Sequence, residues 1–170
     1  MKLLNISDIG YEPKYYPRVN GREDWFTVNI YREALIQNPK KADPSNQDAF
    51  PPVYVVKATP SVFRKKPFPY LLIDGLHRIR AYHAAGIEQI GAIVERLPES
   101  KWFARSVELN AISKRAFDQG DKAFIAATLT GQGWSMADVA KLLQMKVDSL
   151  EKIHTERCQR IKTAAAVKRG

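Results

Sequence analysis

One cysteine, Cys158, stands in 170 residues, so no disulfide closes within the chain and no cysteine-based metal site forms. No apolar run approaches the roughly 20 residues of a membrane-spanning helix. The opening Met-Lys-Leu-Leu-Asn-Ile-Ser-Asp turns polar too early for a secretory signal, and the cytoplasm is the expected location. The three histidines and 18 acidic residues show no zinc-ligand spacing. No serine or cysteine sits in a nucleophile setting, and no Walker pattern or internal repeat is present. These absences argue against a disulfide scaffold, a helical membrane protein, a zinc enzyme and a P-loop ATPase. They also leave no catalytic residue to name.

Positive charge is what the chain has in excess. Twenty-seven basic residues face 18 acidic ones, a net +9, which favours a polyanionic partner. Residues 1–100 carry a balance of only +3, and residues 101–170 carry +6. An electrostatic nucleic-acid surface is therefore expected in the second half. Hydrophobic residues make up 45 %, enough for a packed core.

The patterning changes along the chain in the same place. Residues 2–9 alternate apolar and polar through Leu4, Ile6 and Ile9 and predict a short strand. Tyr11 to Arg22, with Pro13, Pro17 and Gly21, should be irregular. Trp25, Val28, Tyr31, Ala34 and Leu35 recur at helical spacing behind a capping Asp24. Pro52 to Val56, Tyr70 to Ile73 and Ile90 to Val94 predict strands, with a basic, proline-bearing loop over 61–69. A short helix over 77–85 should end at Gly86, a residue tolerant of the left-handed C-terminal position. After Pro98 the strand signals vanish, and helices are expected over 101–110, 121–130, 135–143 and 147–160. The reading is α+β: an α/β domain over 1–98, a helical region over 99–162, and a basic tail over 163–170.

The segment richest in chemistry is Asp74-Gly75-Leu76-His77-Arg78-Ile79-Arg80-Ala81. A buried strand meets a glycine turn, and a helix starts at once with three basic side chains. Unpaired N–H groups and a partial positive charge at a helix start receive an anion readily, and glycine lets the backbone approach it. Cations placed there oppose the helix dipole unless an anion is bound. The same pattern also describes an ordinary strand–turn–helix with surface arginines. Asp74 reads as a turn-former, with orientation of His77 the alternative, His83 as packed or surface, His154 as surface, and Cys158 as a small core residue. Tyr11, Tyr15, Tyr16 and Trp25 read mainly as packing aromatics, with base stacking the alternative.

From Asp74 to Val94 the chain resembles the phosphate-binding motif of ParB-type partition proteins, G-E-R-R-aromatic-R-A followed by a helix, glycine and an I-P-A-x-V strand. It is also similar to the G-C-H-R turn of sulfiredoxins. Tyr15-Tyr16-Pro17-Arg18 resembles the N-P-Y-Q-P-R segment of ParB proteins, and Phe50 to Val55 resembles their strand start. Val107-Glu108-Leu109-Asn110 stands at their E-N pair. The resemblance implies a ParB/sulfiredoxin-like α/β fold. It implies that Gly75, His77, Arg78 and Arg80 contact a nucleoside triphosphate, with Asn110 reaching the same pocket and Arg18 forming a wall. The nucleotide implied is CTP with Mg2+ from the ParB side, or ATP from the sulfiredoxin side. Leu76 occupies the position of the sulfiredoxin cysteine, so sulfinic-acid repair is excluded. Leu109 occupies the position of the ParB glutamate, which leaves Glu108, one residue away, as the only metal candidate. Arg78→Ala is expected to abolish nucleotide binding and leave the fold intact.

Residues 134–156 fit a helix-turn-helix. Ser135 caps a first helix, Gln144-Met145-Lys146 form the turn, and Val147, Leu150 and Ile153 face inward on the second helix. Gln144 holds a turn position often occupied by glycine. Lys146, Ser149, Lys152, Arg157 and Arg160 are the candidate DNA contacts, although Asp148 and Glu151 share the same helix. A helical bundle used for packing or dimerisation fits the same spacing. The expected protein is a nucleotide-regulated DNA-binding homodimer of the ParB-like type, in partition or transcriptional regulation. A ParB-like nuclease or nucleoside triphosphatase, and a DNA-binding regulator with an empty nucleotide site, are the alternatives.

Overall fold

Strand and helix boundaries follow from where each segment can satisfy its backbone. The computed structural model describes residues 1–19, 24–63, 66–111 and 116–167. Gly21 and Arg22 of the irregular stretch, Arg64 and Lys65 of the basic loop, and Lys168 and Arg169 of the tail lie outside the described residues. The described chain forms two compact units: Met1–Tyr16 with Gly21–Trp102, and Pro17–Asn20 with Phe103–Gly170. The sequence places the change of character at Pro98. The units divide four residues later, inside a helix that runs Glu99–Ala111.

The first unit is a five-stranded mixed sheet with two helices. The strands are β1 (Lys2–Asn5), β2 (Ile9–Gly10), β3 (Val53–Lys57), β4 (Tyr70–Asp74) and β5 (Gln89–Glu95), and their order across the sheet is β1-β5-β3-β4-β2. The single strand expected over 2–9 is therefore two, interrupted by a 3-10 turn at Ile6–Asp8. That interruption shapes the unit. β1 and β2 occupy opposite edges, four inter-strand spacings apart, or about 19 Å if the sheet were flat. The link from Asn5 to Ile9 reaches at most about 14 Å. The sheet has to curl.

Helix α1 (Trp25–Gln37) starts at Asp24, whose carboxylate accepts from the Phe26 N–H at 3.2 Å and from the Thr27 hydroxyl at 2.7 Å. Val28 and Leu35 are buried, but Trp25 is 55 % exposed, so its apolar spacing does not place it in the core. Helix α2 (Leu76–Ala84) follows β4 after one residue and ends with Gly86 at φ 72°, as its sequence requires. The core joins both helices to the sheet through Val53, Val55, Leu72, Ile90, Leu76 and Tyr82. Burying each such side chain contributes roughly 1.5–3 kcal/mol.

The second unit is helical: the end of α3 (Glu99–Ala111), then α4 (Gln119–Gly131), α5 (Met136–Leu142) and α6 (Val147–Val167). Phe103, Val107, Ile125, Leu129, Val139 and Leu150 form its core. Asp118 and Asp121 close a reciprocal capping box at the start of α4, and Ser135 caps α5. The expected end of the last helix at 160 and a separate tail from 163 are corrected. α6 continues unbroken to Val167, because Thr163 to Ala166 hold three alanines and no breaker.

Candidate functional site

The turn at Gly75 is built by three local constraints. A register shift between Tyr54 and Val55 displaces the end of β4, where Tyr54 faces Asp74 and Val55 faces Leu72. Gly75 then takes φ 108°, and a Cβ there would lie 2.5 Å from Val53 Cγ1. Only glycine fits. Gly75 is also the N-cap of α2 and has no side chain to cap it with, whereas Asp24, Asp118 and Ser135 cap α1, α4 and α5. The N-cap of α2 therefore offers its first amides no side-chain acceptor of its own.

The basic residues that follow diverge. At about 100° per residue, positions 76, 79, 80 and 83 share one stripe of α2, while 77 and 78 point elsewhere. Arg78 turns toward β3. Its Nη2 donates to Asp74 Oδ2 at 2.6 Å, and its Nη1 donates to the carbonyls of Pro51 at 3.0 Å and Pro52 at 3.1 Å. Asp74 is thus the anchor of this guanidinium as well as a turn residue. His77 faces α1, with Nε2 accepting from the Asp24 N–H at 3.1 Å, a role that needs the unprotonated nitrogen.

Arg80 lies on the other stripe and lines a cleft of about 880 Å³ along the whole of α2. Leu76, Ile79, Arg80 and His83 line it from α2, Asn5 to Ser7 and Ile9 to Tyr11 from the segment around β2, and Phe68 and Leu72 complete the lining beside them. Phe68 is held by an edge-on contact with Phe63, and both rings press on Gly10, where a Cβ would meet them at 2.4–2.5 Å. Sequence reasoning missed this cleft and gave His83 no site role. The signal was present in the 76–79–80–83 spacing, but the lining around β2 comes from residues seventy positions away. One deep tyrosine lies behind α2: Tyr82 donates to the Lys41 carbonyl at 3.2 Å, and burial raises its pKa against the opposing influence of Arg78.

The remaining nucleotide candidates belong to the second unit. Asn110 is buried on α3, and its amide donates to the Ser106 carbonyl at 2.8 Å. Arg18, expected as a pocket wall, is 3 % exposed. Its guanidinium meets Asp121 at 3.5 Å, donates to the Ala116 carbonyl at 3.2 Å and lies over the Phe117 ring. Arg18 therefore has a structural role in holding residues 17–19 to α4, where the Val19 N–H also donates to Asp121. Glu108 pairs with Arg105 at 2.9 Å. Among the described residues no group of three or more His, Cys, Asp or Glu side chains is placed to hold a metal ion.

In the helical unit, α5 and α6 are joined by residues 143–146, with Gln144 at φ 53°. Lys146, Ser149, Lys152 and Arg160 are exposed. Arg157 is not with them: it shares the inward stripe of α6 with Leu150 and His154 and places its guanidinium over the Phe124 ring. His154, expected at the surface, is half-buried, with Nε2 3.8 Å from Cys158 Sγ.

No family model and no curated protein matches the sequence. Among solved structures, the chain is similar to the C-terminally truncated chromosome-partitioning protein ParB from Caulobacter crescentus complexed to the centromeric parS site. The TM-score is 0.59 at 12 % identity, covering 91 % of this chain and 70 % of that one. The fold is ParB-like. The same bacterial ParB complexed with CTP-gamma-S gives a TM-score of 0.47 at 14 % identity over 90 % of this chain and 76 % of that one. A Pnob8-like ParB-N domain gives 0.49 at 11 % over 89 % and 61 %. The ParB-like fold agrees with the resemblance read at Asp74 to Val94. It also accounts for an α+β unit followed by helices.

Proposed function

We propose that this chain is a nucleotide-regulated, DNA-binding protein of the ParB-like type, acting as a homodimer in partition or transcriptional regulation. The observation that carries the reading is the start of α2. A left-handed Gly75, with no side chain of its own to cap the helix, opens α2, and Arg80 stands one turn on, at the wall of an 880 Å³ cleft. Volumes of this order suit a small-molecule ligand, and the amide-plus-guanidinium chemistry suits phosphate. In this reading the triphosphate of CTP or ATP lies against the first turn of α2 and Arg80, with His83 flanking it. Leu72, Leu76, Ile79 and Phe68 offer an apolar surface to the base. Gly75 provides close approach; His77 and Arg78 hold the turn in place through Asp24, Asp74 and the Pro51 and Pro52 carbonyls.

DNA is the second partner, supported by the +6 balance of residues 101–170 and by the parS complex of the ParB-like neighbour. α6 is the reading helix, with Lys146, Ser149 and Lys152 presented at its start and Arg160 as a phosphate contact. A thermal-shift screen with the four nucleoside triphosphates, with and without Mg2+, followed by DNA-binding anisotropy, tests both halves. The expected result is one preferred nucleotide that raises Tm and changes DNA affinity. No shift with any nucleotide, alongside intact DNA binding, would leave a DNA-binding regulator with an empty cleft.

A further inference from the structure

The cleft beside α2 carries no net charge while His83 is neutral. Among the described residues that line it, the ionisable side chains are Arg80 and His83 from α2, Glu88 from just before β5, and Tyr11 from just after β2. Arg80 and Glu88 cancel, and a tyrosine adds no charge near neutral pH. A triphosphate is a polyanion, so holding it favours an excess of positive charge in the lining. A protonated His83 supplies that excess, and histidine is the side chain that gains its proton between about pH 8 and 5.

Helix phase puts His83 where such a proton acts. It shares the cleft-lining stripe of α2 with Leu76, Ile79 and Arg80, and both Arg80 and His83 are exposed. At 1.5 Å per residue, His83 lies about 4.5 Å beyond Arg80 and about 10 Å beyond Leu76 along the axis. A single phosphate at the helix start contacts that end alone. A polyphosphate laid along the stripe passes Arg80 and meets the imidazole. His83 also stands in the last turn of α2, where the helix dipole favours a cation.

We propose that His83 is the proton-dependent ligand of the terminal phosphate, so that the cleft takes up a triphosphate together with a proton. The inference rests on the nucleotide reading of the same cleft and adds its regulation: occupancy rises as pH falls from about 8 to 6. An imidazolium N–H donating to a phosphate oxygen makes a charge-assisted bond, and the phosphate in turn stabilises the protonated ring. Arg80, three residues earlier, opposes that proton and attracts the phosphate. Glu88 does the reverse. The bound phosphate tips the balance toward the protonated ring.

Calorimetric titrations of inorganic tripolyphosphate and of CTP and ATP, at about pH 6 and pH 8, test this in the full native chain, His83→Gln and His83→Arg. Circular dichroism checks the fold of both variants. The native chain should bind more tightly at the lower pH, and its gain should exceed that of His83→Gln by at least about fivefold. Comparison with the variant removes the phosphate's own titration. His83→Arg, with a fixed charge, should bind at the higher pH about as tightly as the native chain does at the lower. Equal pH dependence in the native chain and His83→Gln overturns the inference and leaves the nucleotide reading standing. Uptake of tripolyphosphate that depends on His83 and pH, with neither nucleotide bound, sustains the inference and defeats that reading. No binding of any of the three ligands at either pH overturns both.

Discussion

Gly75 and the three basic residues after it show how a short motif divides its work. Gly75→Ala forces a Cβ into Val53 at a backbone angle that L-residues avoid. The expected cost is on the order of 2–4 kcal/mol in urea-monitored unfolding. Arg78 carries three bonds to protein acceptors, so Arg78→Ala should lower stability by roughly 1–3 kcal/mol in the same assay. The sequence expectation that this variant keeps its fold stands beside that loss as a second outcome to measure. Arg80 is exposed in the cleft wall, so Arg80→Ala should cost less stability than Arg78→Ala. Tyr15 adds a pH-dependent contact: its hydroxyl donates to Glu99, and burial first, then Glu99 and Glu12, raises its pKa well above the ordinary value. A raised phenol pKa means the folded state holds its proton more tightly than the unfolded chain does. The contribution is complete below pH about 10 and is lost as pH rises beyond it. Tyr15→Phe should flatten the alkaline limb of the Tm–pH profile above that point.

At the level of elements, periodicity and capping chemistry made most of the fold legible. β3, β4, β5 and α1 to α5 fall within a few residues of their sequence limits, because Asp24, Ser135 and Gly86 mark ends by local bonding. What was not legible depends on distant partners. The split of residues 2–9 into β1 and β2 follows from pairing with β5 and β4, and nothing local announces it. The outward Trp25 and the inward Arg157 depend on which neighbours α1 and α6 meet. Of the expected site, Gly75 was readable from turn chemistry. The divergence of Arg78 from Arg80 needed the helix phase, and the cleft needed residues 5–11. The α5–α6 turn gives a direct check. Gln144 holds φ 53°, a conformation costing about 1 kcal/mol for a residue with a Cβ. Gln144→Gly should raise stability by about 0.5 kcal/mol in chemical denaturation, the relief of strain less the unfolded-state entropy that glycine adds. A destabilised variant would show that the Gln144 side chain contributes more than the strain removes.

For the molecule as a whole, the proposed nucleotide cleft belongs to one unit and the proposed reading helix, with four basic and three acidic residues, to the other. Neither feature alone distinguishes a regulated DNA-binding protein from a passive one. The reading depends on the cleft beside Arg80 holding a nucleotide. Calorimetric titration of the preferred nucleoside triphosphate into the native chain and into Arg80→Ala tests this most directly. Saturable binding to the native chain, weakened by at least about tenfold in a folded Arg80→Ala, is the expected result. Equal affinity in the two proteins, or no heat from any nucleotide in the native chain, would contradict it.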